Sequence, residues 1–203
     1  MALDDNALIT LANLKIYLKV SAADYDTELE MLINMVSPLM LAEIGHNPVY
    51  ATYTSIKLDG TGRAGLDIPN FPIVEATSLK ENGITLTEGT DFLVYKGSGY
   101  LKRISGTLEG GYSEAKWGKG CQNIEISYKA GYWVQSEESG VDEMPKDIQL
   151  ACAKQAGIEW KRAKAEDWDI TAQTFPDGSI SKNIQDLHPQ VLSICKKYQR
   201  PRV

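Results

Sequence analysis

The stretch DYDTELEMLINMVSPLMLAEIG, residues 24–45, decides the fold. Leu29, Leu32, Ile33, Val36, Leu39 and Met40 recur three and four apart, which makes one apolar stripe on a long helix. Asp24 or Ser21 can cap its start, and Asp26, Glu28 and Glu30 put negative charge near the positive end of the helix dipole. Gly45 can take the left-handed conformation that ends it. Pro38 cannot donate to the carbonyl of Asn34, a loss of roughly 3 kcal/mol in a straight helix interior, so a bend is expected near Ser37 and Pro38. A stripe this wide has to be covered by other segments.

On the N-terminal side, residues 1–9 read as a loose arm. Thr10 can cap a short helix lined by Leu11, Leu14 and Leu18, and residues 20–23 turn the chain into the long helix. Past Gly45 the texture changes. Alternation, β-branched residues and frequent glycine across residues 50–132 are strand signals. Thr52, Thr54, Ile56 and Leu58 share one face of a strand that stops at Asp59-Gly60-Thr61-Gly62. Short strands follow at Leu66–Ile68, 73–79, 84–86, 92–95 and 100–104, with Asn82-Gly83 as a hairpin turn. Residues 105–120 form a Gly-rich loop. The cleanest strand is 123–130, with Ile124, Ile126 and Tyr128 facing in and Glu125, Ser127 and Lys129 facing out.

The periodicity returns to helical at Pro145, a residue suited to a first turn. The helix 145–164 carries Ile148, Ala151, Cys152, Ala156 and Trp160, and its small residues, with Ala153 and Gly157, let another backbone approach closely. It is the natural cover for the 24–45 stripe. Residues 167–186 look irregular, with a turn at Pro176-Asp177-Gly178. Pro189 opens a last helix carrying Val191, Leu192, Cys195 and Tyr198. The pattern predicts an α+β protein: a small helical bundle, built from N-terminal and C-terminal helices, with an inserted antiparallel β domain. The expected division is 1–49 helical, 50–133 β, and 134–203 helical, the last packing on 10–45 and ending in a tail.

With 203 residues, 43% of them hydrophobic, the chain can bury a core without disulfides or metals. A net charge of −6 argues against a tight grip on phosphate backbones. Cys121, Cys152 and Cys195 are far apart, and buried reduced thiols in a cytoplasmic chain are expected. No apolar run reaches the roughly 20 residues of a membrane span, and the N-terminus has no basic signal region.

Candidate chemistry is sparse. His46 and His188 lack further ligands at metal spacing, so no metal is expected. Gly118-Lys119-Gly120-Cys121 would serve a thiol enzyme only with a histidine brought to it by the fold. Asp59-Gly60-Thr61-Gly62-Arg63 lacks the acids of a calcium loop and the Gly-Lys-Ser/Thr of a phosphate loop, and a plain turn accounts for it. Glu137, Glu138, Asp142 and Glu143 make a solvated acidic loop. No catalytic residue and no cofactor are expected, and the chain is not read as an enzyme. The basic ending Lys196, Lys197, Arg200 and Arg202 admits two accounts: favourable charge at a helix C-terminus, or a docking arm for an acidic partner surface.

The run Leu8-Ile9-Thr10-Leu11-Ala12-Asn13-Leu14-Lys15-Ile16-Tyr17-Leu18, an acidic turn, and Glu28-Leu29-Glu30-Met31-Leu32-Ile33 resemble the head–tail connector proteins of tailed bacteriophages, also called head-completion or adaptor proteins. The resemblance continues through Leu58-Asp59-Gly60-Thr61-Gly62, Phe71-Pro72-Ile73-Val74 and Ile126-Ser127-Tyr128-Lys129-Ala130-Gly131-Tyr132. It resumes at Met144-Pro145-Lys146-Asp147-Ile148-Gln149-Leu150-Ala151 and in the terminal Val191-Leu192 and Tyr198-Gln199-Arg200. Gly45-His46 departs from the Gly-Arg pair that often ends the family helix, and Pro38 interrupts that helix.

The resemblance implies a non-catalytic protein of the virion neck, assembled in the host cytoplasm. Such a protein forms a ring with copies of itself between the portal protein and a downstream neck or tail-completion protein, with DNA only as passing cargo and no membrane contact. It also implies docking to the portal through residues 191–203. A competing reading makes the β domain a ligand- or carbohydrate-binding module using Trp117 and Trp133. Exposed aromatics along one groove would favour it.

Overall fold

Thr10 Oγ1 accepts the backbone N–H of Asn13 at 3.2 Å and caps helix α1, Leu11–Leu18. In the computed structural model, which describes residues 2–107, 111–135, 137, 139–165, 172–175, 178–181 and 187–200, the deciding stretch becomes α2, Asp26–Ile44. A 3₁₀ turn, Ala23–Tyr25, leads into it, and neither Ser21 nor Asp24 is the capping residue. Asp26 instead pairs with Lys15 at 2.5 Å and ties the two helices together. Gly45 ends α2 at φ 82°, donating its N–H to Leu41 O at 2.9 Å. The helix runs unbroken through Pro38, whose ring lies on the exposed side.

The buried stripe of α2 is Leu29, Ile33, Val36, Met40 and Ile44; Leu32 is half-buried and Leu39 faces out. Helix α3, Lys146–Ala165, covers that stripe with Ile148, Ala151, Cys152 and Ala156. The close approach is visible where Ser37 Oγ lies 3.9 Å from Cys152 Sγ. A Cβ added at Gly157 would come within 3.0 Å of Leu18 on α1. Tyr25 meets Trp160 edge-on at 6.0 Å. Helix α4, Pro189–Lys197, closes the bundle by burying Val191 and Cys195.

The N-terminal arm is not loose. Ala7, Leu8 and Ile9 are buried, and the arm is sewn to α2: Asp4 N–H donates to Asn34 Oδ1 at 3.0 Å, Asn34 Nδ2 to Ala2 O at 3.0 Å, and Leu8 N–H to Ser37 Oγ at 3.2 Å. The apolar triplet at 7–9 is what drives this burial.

The β unit begins with β1 (Ala51–Gly60), β2 (Gly65–Asp67), β3 (Ile73–Glu81) and β4 (Ile84–Leu86). It continues with β5 (Phe92–Tyr95), β6 (Tyr100–Thr107), β7 (Gly111–Glu114) and β8 (Gly120–Ala130). One antiparallel sheet has the order β1-β8-β3-β4; the other has β2-β6-β5, with β7 pairing β6. β7 lies in the region expected to be loop. Its glycine content hid the register Gly106↔Tyr112 and Thr107↔Gly111. The two sheets share a core of Leu79, Ile124, Ile126 and Tyr128 from the first and Leu66, Phe92 and Leu101 from the second. β8 faces as its alternation predicts.

β1 does not keep the predicted phase. Thr54 and Ser55 together oppose the single residue Ser127, so Tyr53 pairs Tyr128 while Ile56 pairs Ile126. Ser55 adopts φ 52°, its N–H donating to Ser127 Oγ at 3.0 Å. This bulge flips the side-chain alternation. Tyr53, Ile56 and Leu58 face the core and Thr52 and Thr54 face solvent. Tyr53 stacks on Tyr128 with ring centroids 4.9 Å apart.

By packing, the chain forms one unit of Met1–Gly45 with Met144–Val203 and a second of His46–Glu143. Residues 134–143 fall in the β unit because Trp133 bridges to Glu143 and donates its N–H to Asp142 O at 3.0 Å. Within 167–186, β9 (Ala172–Phe175) and β10 (Gly178–Ser181) form a hairpin where irregular chain was expected. Pro176 and Asp177 of the predicted turn lie outside the described residues.

Candidate partner-docking site

The sequence pointed to the last helix and its basic ending. α4 starts where His188 Nδ1 accepts the N–H of Gln190 at 3.2 Å, with Pro189 in the first turn. The buried Gln155 of α3 fixes this start by accepting the His188 N–H at 2.9 Å. Lys154 also donates to Gln190. Val191 and Cys195 turn inward, so the cations at 196 and 197 emerge at the carbonyl end of α4, where the helix dipole favours positive charge.

The four expected docking cations separate in the structure. Lys196 is exposed and has no ion-pair partner among the described residues. Lys197 is engaged: its Nζ lies 2.6 Å from Asp147 Oδ2 and 5.2 Å from the Tyr198 ring centroid. Tyr198 donates its hydroxyl to Asp147 Oδ1 at 2.6 Å. Partial burial works against the charge on Asp147, but the bonds from Lys197 and Tyr198, the Lys197 charge and the Ile148 N–H outweigh it. They hold this carboxyl below its ordinary value. Arg200 is half-buried and also engaged, and Gln199 Nε2 donates to Glu43 O at 2.5 Å. Arg202 lies outside the described residues. Asp147, fifty residues upstream, thus already neutralises one of the four cations.

The other candidates resolve one by one. Cys121 is exposed, against the expectation that all three thiols are buried. It sits beside Gln122, a positive-φ residue at the register irregularity near the start of β8. Cys152 and Cys195 are buried, and burial pushes their thiols up to about 12 and about 11. His46 stacks on Phe71 at 3.9 Å. Among the described residues no three His, Cys, Asp or Glu side chains come together as metal ligands. No described helix is long and apolar enough to cross a membrane. Glu137 and Asp142 of the acidic loop are exposed, and Glu138 lies outside the described residues.

Trp117, the leading aromatic of the ligand-binding reading, is in the β core at 1% exposure. The Arg103 guanidinium lies over it at 5.7 Å and pairs with Glu81 at 3.4 Å and Asp91 at 3.5 Å, while the Gly118 N–H donates to Glu81 at 2.5 Å. These contacts hold the loop before β8 in place and leave Trp117 no face for a sugar. Sequence reasoning missed the outward side of α2, where Met31, Met35 and Leu39 are exposed. Their spacing of four is visible, but the periodicity puts Leu39 in the buried stripe and assigns Met31 and Met35 to no surface.

Among curated proteins, no sequence matches the chain. Solved structures do. One similar chain comes from the neck of an empty gene transfer agent particle computed with C6 symmetry, at 15% identity and a TM-score of 0.51. Another comes from the virion of the native gene transfer agent particle, at 15% identity and 0.52. A third comes from the neck of the native particle computed with C12 symmetry, at 14% identity and 0.51. Each likeness spans 100% of this chain and 94% of the other, and at such identities it establishes the fold. The head completion protein family model matches residues 7–201, from the buried arm through the last helix, and the chain belongs to that family.

Proposed function

We propose that this protein is a non-catalytic structural component of a phage neck, forming a ring that sits between portal and tail and continues the DNA channel. The observation that carries the reading is the family match over residues 7–201 together with a fold that covers 94% of chains from the neck of gene transfer agent particles. Its place is the virion neck, after assembly in the host cytoplasm. Its partners are copies of itself, the portal protein and a downstream neck or tail-completion protein. A net charge of −6 suits a conduit, because a negative wall repels the phosphate backbone and lets DNA pass without sticking.

Docking to the portal runs through α4 and the basic ending. Lys196 offers its charge directly, while Lys197 must exchange Asp147 for a partner carboxylate, with Arg200 and Arg202 alongside. Mass measurement and electron microscopy of the purified protein, alone and with its portal protein, test the reading. A ring that seats on the portal and loses that seat in K196E/K197E supports it. A monomer that ignores the portal overturns it.

A further inference from the structure

On α2, from Met31 to Ala42, every exposed side chain is apolar: Met31, Met35, Pro38, Leu39 and Ala42, with Met35 at 59% exposure. The opposite face of the same helix is already buried in the bundle, so this outward face is a second apolar surface on one helix. Such a surface without a polar face marks a docking site. At its N-terminal end stand the exposed acids Asp24 and Glu28.

The same bundle offers an unlike counterpart. Along the line where α1 meets α3, Ile16 is 75% exposed and Leu150 53%, with Tyr17 half-exposed beside them. Asn13 Nδ2 bonds Gln149 Oε1 at 3.0 Å, and Tyr17 lies 3.5 Å from the place a Cβ at Gly157 would take, so α1 and α3 meet there, with Ile16 next to Tyr17 on α1 and Leu150 next to Gln149 on α3. Lys146, Leu150 and Lys154 follow one another at a spacing of four on α3, so cations flank this patch, exposed Lys146 on one side and, on the other, half-buried Lys154, which also donates to Gln190 of α4. One patch is apolar with an acidic end, and the other is apolar with a basic rim.

We propose that the outward face of α2 on one copy docks on the α1–α3 seam of the next copy. This inference rests on the ring reading above and names the surface that makes the ring. Two unlike, complementary patches on one chain are what a head-to-tail interface requires, and such an interface closes into a ring when its rotation allows. An external partner would need only one of them. The acidic end of α2 meeting the lysine rim sets the register.

The test compares wild type with M31K/M35K and with L150K, read by native mass and by thermal unfolding. The substituted positions are exposed, so the unfolding midpoint is expected to stay within a few degrees of wild type. Self-association is expected to weaken by roughly thirtyfold or more, the loss typical of interface anchor residues. In a C121S background, M35C mixed with L150C should give an oxidised cross-link between copies. Cross-linking of M35C to itself instead would overturn the head-to-tail geometry. A ring in wild type that persists in M31K/M35K overturns this surface and leaves the neck reading standing. No ring in wild type, alone or with portal protein, overturns the ring reading and this surface with it.

Discussion

Leu8 donates its backbone N–H to Ser37 Oγ at 3.2 Å, and both residues are buried. A chain segment from outside α2 thus uses the one polar side chain on that helix's buried face, directly before Pro38.

Substituting Ser37→Ala leaves the buried Leu8 N–H without its acceptor, an expected loss of about 1–3 kcal/mol. Leu8→Ala empties a fully buried site and is expected to cost about 2–5 kcal/mol. Urea unfolding of the two variants measures both, and a loose arm would predict no effect from either.

Gly60 closes β1 against the loop before β8. A Cβ there would lie 1.8 Å from Gly118 O and 2.7 Å from Asn123 Oδ1, the acceptor of the Gly60 N–H. Both the backbone and the Asn123 bridge would have to move, so Gly60→Ala is expected to cost about 3 kcal/mol or more. Gly83, at φ 80° with open space around it, should lose only about 1 kcal/mol on the same change. Thermal unfolding of the two variants separates overpacking from backbone strain.

The depressed Asp147 value carries a pH signature. A carboxyl held below its ordinary value of 3.8 contributes stability that is complete above that value and lost as pH falls toward the depressed one. Asp147→Asn should remove the anchor of Lys197 and Tyr198, at about 1 kcal/mol given that the Lys197 side chain is 64% exposed. The stabilities of the variant and wild type should converge as pH falls below 3.8, a narrowing that acid titration followed by circular dichroism would reveal.

The thiols should label in two classes. Cys121 is exposed and reacts with a maleimide in the native protein, whereas Cys152 and Cys195 react only on unfolding. While buried, their thiols are raised to about 12 and about 11, so the folded bundle leaves little thiolate near neutral pH, and opening it removes the cause of the shift. Mass spectrometry after native and denatured labelling counts one adduct and then three.

What was legible in the chain was what neighbours in sequence decide. The Thr10 cap, the Gly45 stop, the Asn82-Gly83 hairpin and the alternation of β8 each rest on side chains within a few positions of one another. The α+β pattern of helices, strands and helices followed from them. The misses share a non-local cause. The Ser55 bulge is a matter of how β1 meets Ser127, seventy-two residues away, and it reverses Thr54 and Tyr53 without any trace in the β1 alternation. The arm is held by Asn34 and Ser37, and Lys197 by Asp147; neither pairing leaves a periodic signal. β7 and the β9–β10 hairpin are stabilised by a partner strand more than by composition, which is the general weakness of strand propensity.

The split of the helical unit into Met1–Gly45 and Met144–Val203 has a consequence for biogenesis. α2 leaves the ribosome roughly 100 residues ahead of α3, a delay of about 5–20 s at typical translation speeds. Throughout that interval Leu29, Ile33, Val36 and Met40 have no lid, and a nascent chain truncated before Met144 could never acquire one. Fragments of this protein ending within the β segment should therefore be clients of chaperones, and only synthesis through α3 lets the segments on either side of the β unit shut over the same helix.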